Sequence, residues 1–216
     1  MMRAWPIIVH GHKKIRFRCI KRCFAAAVAM TLIAAAAFAV ADDRPVLIGL
    51  DADMSSLSAK SGEAIRRGVV LAMDEINSAG GVLGRPLKLM VRDHRGNPAR
   101  GRDNIEELAA MADLVAIVGG IHTPVALYEL ETIHRAGVLY LGAWAAGTPI
   151  VDNGFDPNYV FRVSVRDSFA GPYLVAAAKR AGHERLGLML ERTGWGRSNE
   201  KAMLAPSPIR EWQVSA

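Results

Sequence analysis

The apolar run VLIGL at residues 46–50 decides the fold, since it is too short for a buried helix and apolar on both faces. An amphipathic segment follows at residues 62–79, and a second apolar run comes at residues 87–91. The apolar positions of the amphipathic segment recur every three or four residues: Ile65, Val69, Ala72, Met73 and Ile76. Strand, helix and strand in this order predict a βαβ unit in a parallel sheet that helices cover on both faces.

The same alternation continues along the chain. Further strands are predicted at residues 114–118, 138–141 and 185–190, and further helices at residues 103–111, 124–135 and 168–181. The predicted fold class is therefore α/β, with a doubly wound parallel sheet. Ligands of such sheets bind beyond the carboxyl ends of the strands. Three loops are placed there by this prediction, at residues 52–61, 119–123 and 142–148.

The first 41 residues have the composition of a signal peptide. Residues 1–22 contain seven Lys and Arg and no acidic residue, and residues 24–39 are uncharged. Ala39 and Ala41 fit a signal-peptidase site, which predicts a periplasmic protein cleaved near Ala41. A retained membrane anchor is disfavoured, because the apolar run is shorter than the ~20 residues that a spanning helix needs.

Charge and composition argue against several classes of protein. The net charge is +6, but without the leader 20 Lys and Arg face 21 Asp and Glu, so we expect no nucleic-acid partner. Both cysteines, Cys19 and Cys23, lie in the leader, and the histidines show no metal-binding spacing. The glycine cluster at residues 80–84 follows a helix rather than a strand, and no Gly-x-Ser-x-Gly elbow is present. We therefore expect neither an enzyme nor a cofactor nor a metal.

The string Asn77-x-x-Gly80-Gly81-x-x-Gly84-x-Pro86-Leu87 resembles the type I periplasmic solute-binding proteins. The most similar branch serves ATP-driven (ABC) importers of leucine, isoleucine and valine. The likeness extends over about residues 46–200, with further matches at residues 118–120, 137–139, 161–162 and 194–196. It implies the periplasmic binding protein-like I fold, in which two α/β lobes close on a ligand, and a monomer that delivers its solute to an ABC permease.

The resemblance also predicts the domain organisation. A first ligand-binding lobe is expected at residues 42–160, part of a second lobe at residues 161–205 and an irregular tail at residues 206–216. Members of the family are nearly twice as long, so we expect a C-terminally truncated chain that binds its ligand poorly. Half a cleft buries too little of a small ligand.

Candidate ligand-binding residues follow from the same resemblance. Thr123 stands where the family has a carboxylate-binding Ser or Thr, and it could equally be a simple helix cap. His122 beside it could contact ligand or be solvated. Ala145 and Ala146 match the second ligand loop, where the family often has a hydroxyl after the first alanine. Trp144 in that loop could stack on the ligand or pack within the loop.

The remaining candidates lie further apart in the sequence. Asp167 and Trp195 match a polar position and an aromatic position near the ligand, and Ser61 represents a contact from the first loop. The predicted ligand is an amino acid, an amide or an aromatic acid. The alternative is the ligand-sensing domain of an exported receptor or of an amide-responsive regulator, since the same lobes serve both roles.

Overall fold

A computed structural model describes residues 44–205. The predicted leader at residues 1–41 and the predicted tail at residues 206–216 lie outside the described residues. Five strands form one sheet in the order β2-β1-β3-β4-β5, and every neighbouring pair is parallel. The strands are β1 Val46–Ala52, β2 Leu87–Asp93, β3 Leu114–Gly119, β4 Leu139–Gly142 and β5 Val160–Arg162. The predicted parallel α/β fold is confirmed.

Five helices accompany this sheet in the described part of the chain. They are α1 Ala59–Ser78, α2 Pro98–Ala109, α3 Thr123–Ala136, α4 Asp167–Arg180 and α5 Gly194–Leu204, with a short 3₁₀ turn at Thr148–Ile150. None of the helices within residues 44–205 is long and apolar enough to cross a membrane.

Helices α2 and α3 cover one face of the sheet. Ile105 and Leu108 of α2 and Ile133 of α3 are fully buried there, against Ile117 of β3 and Tyr140 of β4. These positions keep the helical spacing that the sequence shows, and each fills the space over a strand that is apolar on both sides. This layer is the larger of the two cores.

Helix α1 covers the other face only in part. Its residues Ile65 and Val69 pack against Leu50 and Val118, which lie in the central strands β1 and β3. The same face of β4 and β5 is open, and Phe161 of β5 is 57% exposed. The sheet is thus covered on both faces at the carboxyl half of its central strands and bare on one face of β4 and β5.

Helix α2 begins five residues before its predicted start at residue 103. Asn97 caps it, since its side chain accepts hydrogen bonds from the backbone N–H groups of Ala99 and Arg100. Pro98 is the first helical residue, where its missing N–H costs nothing. Residues 98–101, just before the predicted start, therefore form the first turn of a capped helix.

The strand predicted at residues 185–190 is wrong. Residues 183–191 have no regular secondary structure, and apolar side chains such as Leu186 and Met189 are exposed. A strand needs a neighbour for its backbone N–H and C=O groups. No described strand lies beside this segment, so its apolar pattern does not produce one.

Residues 161–205 contain the end of β5 and the helices α4 and α5. The boundary expected after residue 160 falls inside β5, which pairs with β4 as the fifth strand of the first sheet. Helices α4 and α5 pack closely, because a Cβ atom added at Gly171 would lie 2.8 Å from Ala202 Cβ. The segment at residues 194–196 begins α5, and Thr193 caps it by accepting a hydrogen bond from Gly196 N–H.

Candidate functional site

The loops after β1, β3 and β4 meet at the carboxyl edge of the sheet, because the three strands are parallel neighbours. The loop after β1 is folded around Asp53, whose carboxylate accepts hydrogen bonds from Ser56 N–H at 2.7 Å and Ser58 N–H at 2.9 Å. Burial raises the pKa of Asp53, but the hydrogen bonds from Ser58, Ser56 and Ser55 outweigh it, so the pKa is below its ordinary value. Asp53 is therefore ionised and structural.

Asp93 at the end of β2 holds the same loop from the other side. Its carboxylate accepts from Met54 N–H at 2.9 Å and from the Ser55 hydroxyl at 2.6 Å. Burial opposes ionisation, but the hydrogen bonds from Ser55, Met54 and Arg95 prevail and lower the pKa of Asp93 to about 2. Two carboxylates thus fix the path of the chain between β1 and α1.

His122 stands at the N-terminus of α3, one residue before the helix begins. Its Nε2 atom lies 3.3 Å from Ser58 Oγ, so the loops after β1 and β3 touch here. Its Nδ1 atom is buried and has no hydrogen-bond partner within residues 44–205. The His122 ring therefore makes one contact through Nε2, and the residue stands at a helix N-terminus, where the backbone dipole favours an anion.

His94 lies behind His122, with the two ring centres 5.3 Å apart in an edge-to-face arrangement. His94 is fully buried, and its Nδ1 atom accepts a hydrogen bond from Gly96 N–H at 2.9 Å. Burial and the neighbouring His122 lower the pKa of His94 to about 4. His94 is neutral at physiological pH and supports the loop rather than carrying charge into it.

Thr123 is the first residue of α3 and is buried. The interpretation of Thr123 as the helix cap is wrong, since His122 occupies that position, and the His122 side chain accepts no capping hydrogen bond. The Thr123 hydroxyl accepts a hydrogen bond from Gly147 N–H at 3.2 Å. In this structure Thr123 fixes the loop at residues 143–147, and its contact with a ligand stays a prediction.

The loop at residues 143–147 is tied down on both sides. Ala145 N–H donates to the carbonyl of Gly120 at 3.2 Å, and the carbonyl of Ala146 accepts from Asp167 N–H at 2.9 Å. Ala145 is buried and Ala146 half-buried. Trp144 is 46% exposed, so the indole is available to a molecule at the surface.

Asp167 and Trp195 form a second group at the starts of α4 and α5. Asp167 is buried, and burial raises its pKa even though Ser198, Trp195 and Arg162 favour the ionised form. Trp195 is 43% exposed. The backbone link from Asp167 to Ala146 joins this group to the loop that carries Trp144.

Ser61 lies in the first turn of α1, one turn away from the contact with His122 that Ser58 makes. Ser58, Asp53 and His94 are residues of this region that the sequence pattern did not indicate. Asp53 and His94 each directly follow a strand, a position that signals a role at the carboxyl edge. Within the described range no group of three His, Cys, Asp or Glu side chains could hold a metal ion.

Comparison with known proteins identifies the family. The model of the periplasmic binding protein family matches residues 45–205, so the chain belongs to that family. It is 29% identical over 137 residues to the Leu/Ile/Val-binding protein BraC3 of Rhizobium johnstonii, covering 63% of this chain and 36% of the relative. It is 26% identical over 138 residues to an amino acid binding protein of Pseudomonas aeruginosa, covering 62% and 36%.

Solved structures agree on the fold. The branched-chain amino acid transporter binding protein LivJ of Streptococcus pneumoniae, in complex with isoleucine, is 25% identical with a TM-score of 0.58, covering 63% of this chain and 38% of that one. A possible leucine/isoleucine/valine-binding protein of Rhodopirellula baltica has a TM-score of 0.68 at 21% identity, covering 76% and 44%.

These relatives are named as binding proteins, which agrees with the expectation that the chain is not an enzyme. The chain spans little more than a third of the length of the curated relatives that it matches.

Proposed function

We propose that this chain is the ligand-binding lobe of a periplasmic solute-binding protein that delivers an amino acid, or a related small carboxylate, to an ABC importer. The observation that carries the proposal is the meeting of three strand-end loops at the N-terminus of α3, in a chain of the periplasmic binding protein family. The names of the relatives BraC3 and LivJ favour an aliphatic amino acid as the solute.

The N-terminus of α3 is suited to the carboxylate of such a solute. The helix dipole places partial positive charge there, and the first N–H groups of a helix have no partner within it. The Ser58 hydroxyl, 3.3 Å from His122 Nε2, lies at the same place and adds a side-chain donor. Thr123 contributes by holding the neighbouring loop in position.

Trp144 supplies an apolar wall for the remainder of the solute. Its indole is half-exposed on a loop whose backbone is fixed at Ala145 and Ala146. Ala146 lacks the hydroxyl that the resemblance leads one to expect, which leaves fewer polar contacts on this side of the site. A solute with an apolar or aromatic portion fits the indole better than a wholly polar one.

The mechanism that we infer is non-covalent. The solute bridges this lobe and a second one, and its binding shifts an equilibrium between open and closed forms toward the closed form. The closed form then docks on the permease. Asp167 and Trp195, at the starts of α4 and α5, are the residues that we expect to approach the solute from the second side.

The test is an NMR titration of the chain with L-leucine and, as a matched control, with leucinol, which lacks the carboxylate. We expect leucine at millimolar concentration to shift the amide signals of residues 120–126 and the indole signal of Trp144, and leucinol to shift the indole signal alone. Equal shifts at residues 120–126 by both compounds would contradict carboxylate binding at α3, and shifts confined to other regions would overturn the site.

The proposed location has a separate test. When the chain is produced in a Gram-negative host, the periplasmic fraction should contain a protein whose mass corresponds to residues 42–216, as expected for cleavage after Ala41. An uncleaved chain found only in the cytoplasm would contradict export.

A further inference from the structure

Two carboxyl groups lie side by side in the interior, behind the candidate site. Asp51 belongs to β1 and Glu129 to α3, and the side chains are each 1% exposed. A Cβ atom added at Gly101 would lie 2.5 Å from Glu129 Oε1 and 3.4 Å from Asp51 Oδ2. Both carboxyl groups are therefore neighbours of the same point in the interior. Neither group belongs to the ligand site described above.

Hydrogen-bond donors for this pair are scarce. Asn104 of α2 donates its side-chain N–H to Asp51 Oδ1 at 2.6 Å. Asp51 Oδ2 and both carboxyl oxygens of Glu129 are buried and have no well-aligned donor within residues 44–205. Three buried acceptor oxygens without donors are costly, because each has lost its hydration.

We propose that Asp51 and Glu129 share one proton at neutral pH, so that a carboxylic acid of one residue donates a hydrogen bond to the carboxylate of the other. A shared proton gives the pair a donor of its own, in addition to Asn104 and the Tyr140 hydroxyl, and removes one of two like charges from the interior. The resulting hydrogen bond joins β1 directly to α3, the two elements that carry the loop around Asp53 and the helix N-terminus beside His122.

Within residues 44–205, the charged groups that act on Asp51 do not favour its ionisation. Glu129 and Asp93 of β2 are the charged groups that act on Asp51, and both disfavour its ionisation. Tyr140 of β4 places its hydroxyl near Glu129, and Asn104 is neutral. Burial, then the proximity of Glu129, raises the pKa of Asp51 to about 10, and burial raises the pKa of Glu129.

The expected pH dependence follows from the sign of these shifts. Both pKa values are higher in the folded chain than in the unfolded chain, so the folded form holds more protons between about pH 4 and pH 10. The stabilisation from proton uptake is greatest in acid and declines as the pH rises. The pair therefore lowers the stability of the fold progressively as the pH rises through this range.

The test combines two variants of the full chain with a matched control. Glu129→Gln replaces the shared proton by a permanent amide donor, and Asp51→Asn with Glu129→Gln removes both titrating groups. Glu131→Gln, two residues along α3 with its carboxyl 85% exposed, is the control. We expect the Tm of the wild type and the control to fall between pH 7 and pH 10, and that of the double variant to fall much less.

Infrared spectroscopy gives a second readout that does not depend on stability. The folded wild-type chain at pH 7 should show the carbonyl band of a protonated carboxylic acid, and the double variant should lack it. Wild-type chain without this band at pH 7, or an identical pH dependence of Tm in the double variant and in Glu131→Gln, would overturn the shared proton.

Discussion

At the scale of the residue, buried side chains behind the loops determine their shape. Asp53 and Asp93 each accept several hydrogen bonds from the chain between β1 and α1. His94 does the same for the turn after β2 through Gly96 N–H. The loops of the candidate site therefore have defined positions before any ligand arrives.

His94 makes the stability of the folded chain depend on pH in the acid range. Its pKa of about 4 lies below the ordinary value of 6.5, so the folded chain binds this proton less readily than the unfolded chain. The contribution of neutral His94 to stability is complete above about pH 6.5 and is lost as the pH falls toward 4.

We therefore expect His94→Asn to weaken the loss of stability between pH 7 and pH 4, measured by urea unfolding at each pH. The Asn side-chain oxygen can still accept the hydrogen bond from Gly96 N–H, so the turn is retained. His183→Asn changes an exposed histidine and is the control. If both variants keep the wild-type pH dependence, His94 is not the titrating group.

The sequence locates most of the candidate residues but not their partners. Thr123, Trp144 and Asp167 are indeed next to strand or helix ends, which follows from the order of apolar and polar segments. The hydrogen bond from Gly147 N–H to the Thr123 hydroxyl joins residues that are 24 positions apart in the sequence. It depends on how two loops pack, and no local pattern encodes it. Ser61, predicted as a contact from the first loop, lies within α1, because the helix begins three residues before its predicted start at residue 62.

At the scale of the element, the start of a helix depends on a cap, and the existence of a strand depends on a neighbour. The cap at Asn97 could have been recognised from the sequence, since Asn followed by Pro is a common helix start. The apolar residues at 185–190 carry no comparable information, because pairing with another strand is not local. Spacing therefore predicted helices α1 to α4, with starts within five residues, but it missed α5 and predicted this one strand wrongly.

The contact between α2 and α3 offers a sharp test of element packing. A Cβ atom added at Gly101 of α2 would lie 2.5 Å from Val125 Cγ1 and 2.5 Å from Glu129 Oε1 on α3. We expect Gly101→Ala to lower the free energy of unfolding by about 1–3 kcal/mol, because the helices must move apart.

The matched control is Gly68→Ala in α1, where an added Cβ atom meets nothing within 4 Å. This change should raise the free energy of unfolding by up to about 1 kcal/mol, since alanine favours a helix over glycine. Urea unfolding of both variants measures the difference. A stabilising Gly101→Ala would show that α2 and α3 do not approach each other this closely.

At the scale of the whole molecule, the sheet has two unequal faces. The face under α2 and α3 is buried from β1 to β5, whereas the face under α1 is covered only over β2, β1 and β3. Leu139, Leu141 and Phe161 on the open side are between 37% and 57% exposed. The parallel sheet was predictable from its apolar runs. Which face of each strand is covered by a helix was not, because a run that is apolar on both faces carries no information about the side on which a helix packs.

Adjacent residues of β5 report on the two faces separately. Val160 is 4% exposed and packs in the larger core, while Phe161 points to the open side. We expect Val160→Thr to lower the free energy of unfolding by about 1–3 kcal/mol, because its hydroxyl would be buried without a partner. Phe161→Thr should cost less than about 1 kcal/mol, since threonine suits a strand and the lost ring was half in water.

The two substitutions should also change the solubility of the chain, in opposite directions. An exposed apolar patch promotes association between copies of the chain. Phe161→Thr is therefore expected to raise the highest concentration at which light scattering still shows a monodisperse solution. Val160→Thr should lower that concentration, because it increases the unfolded fraction. If Phe161→Thr destabilises the chain as much as Val160→Thr, the open face is packed against something in solution, and the sheet is more evenly covered than its strand-by-strand exposure indicates.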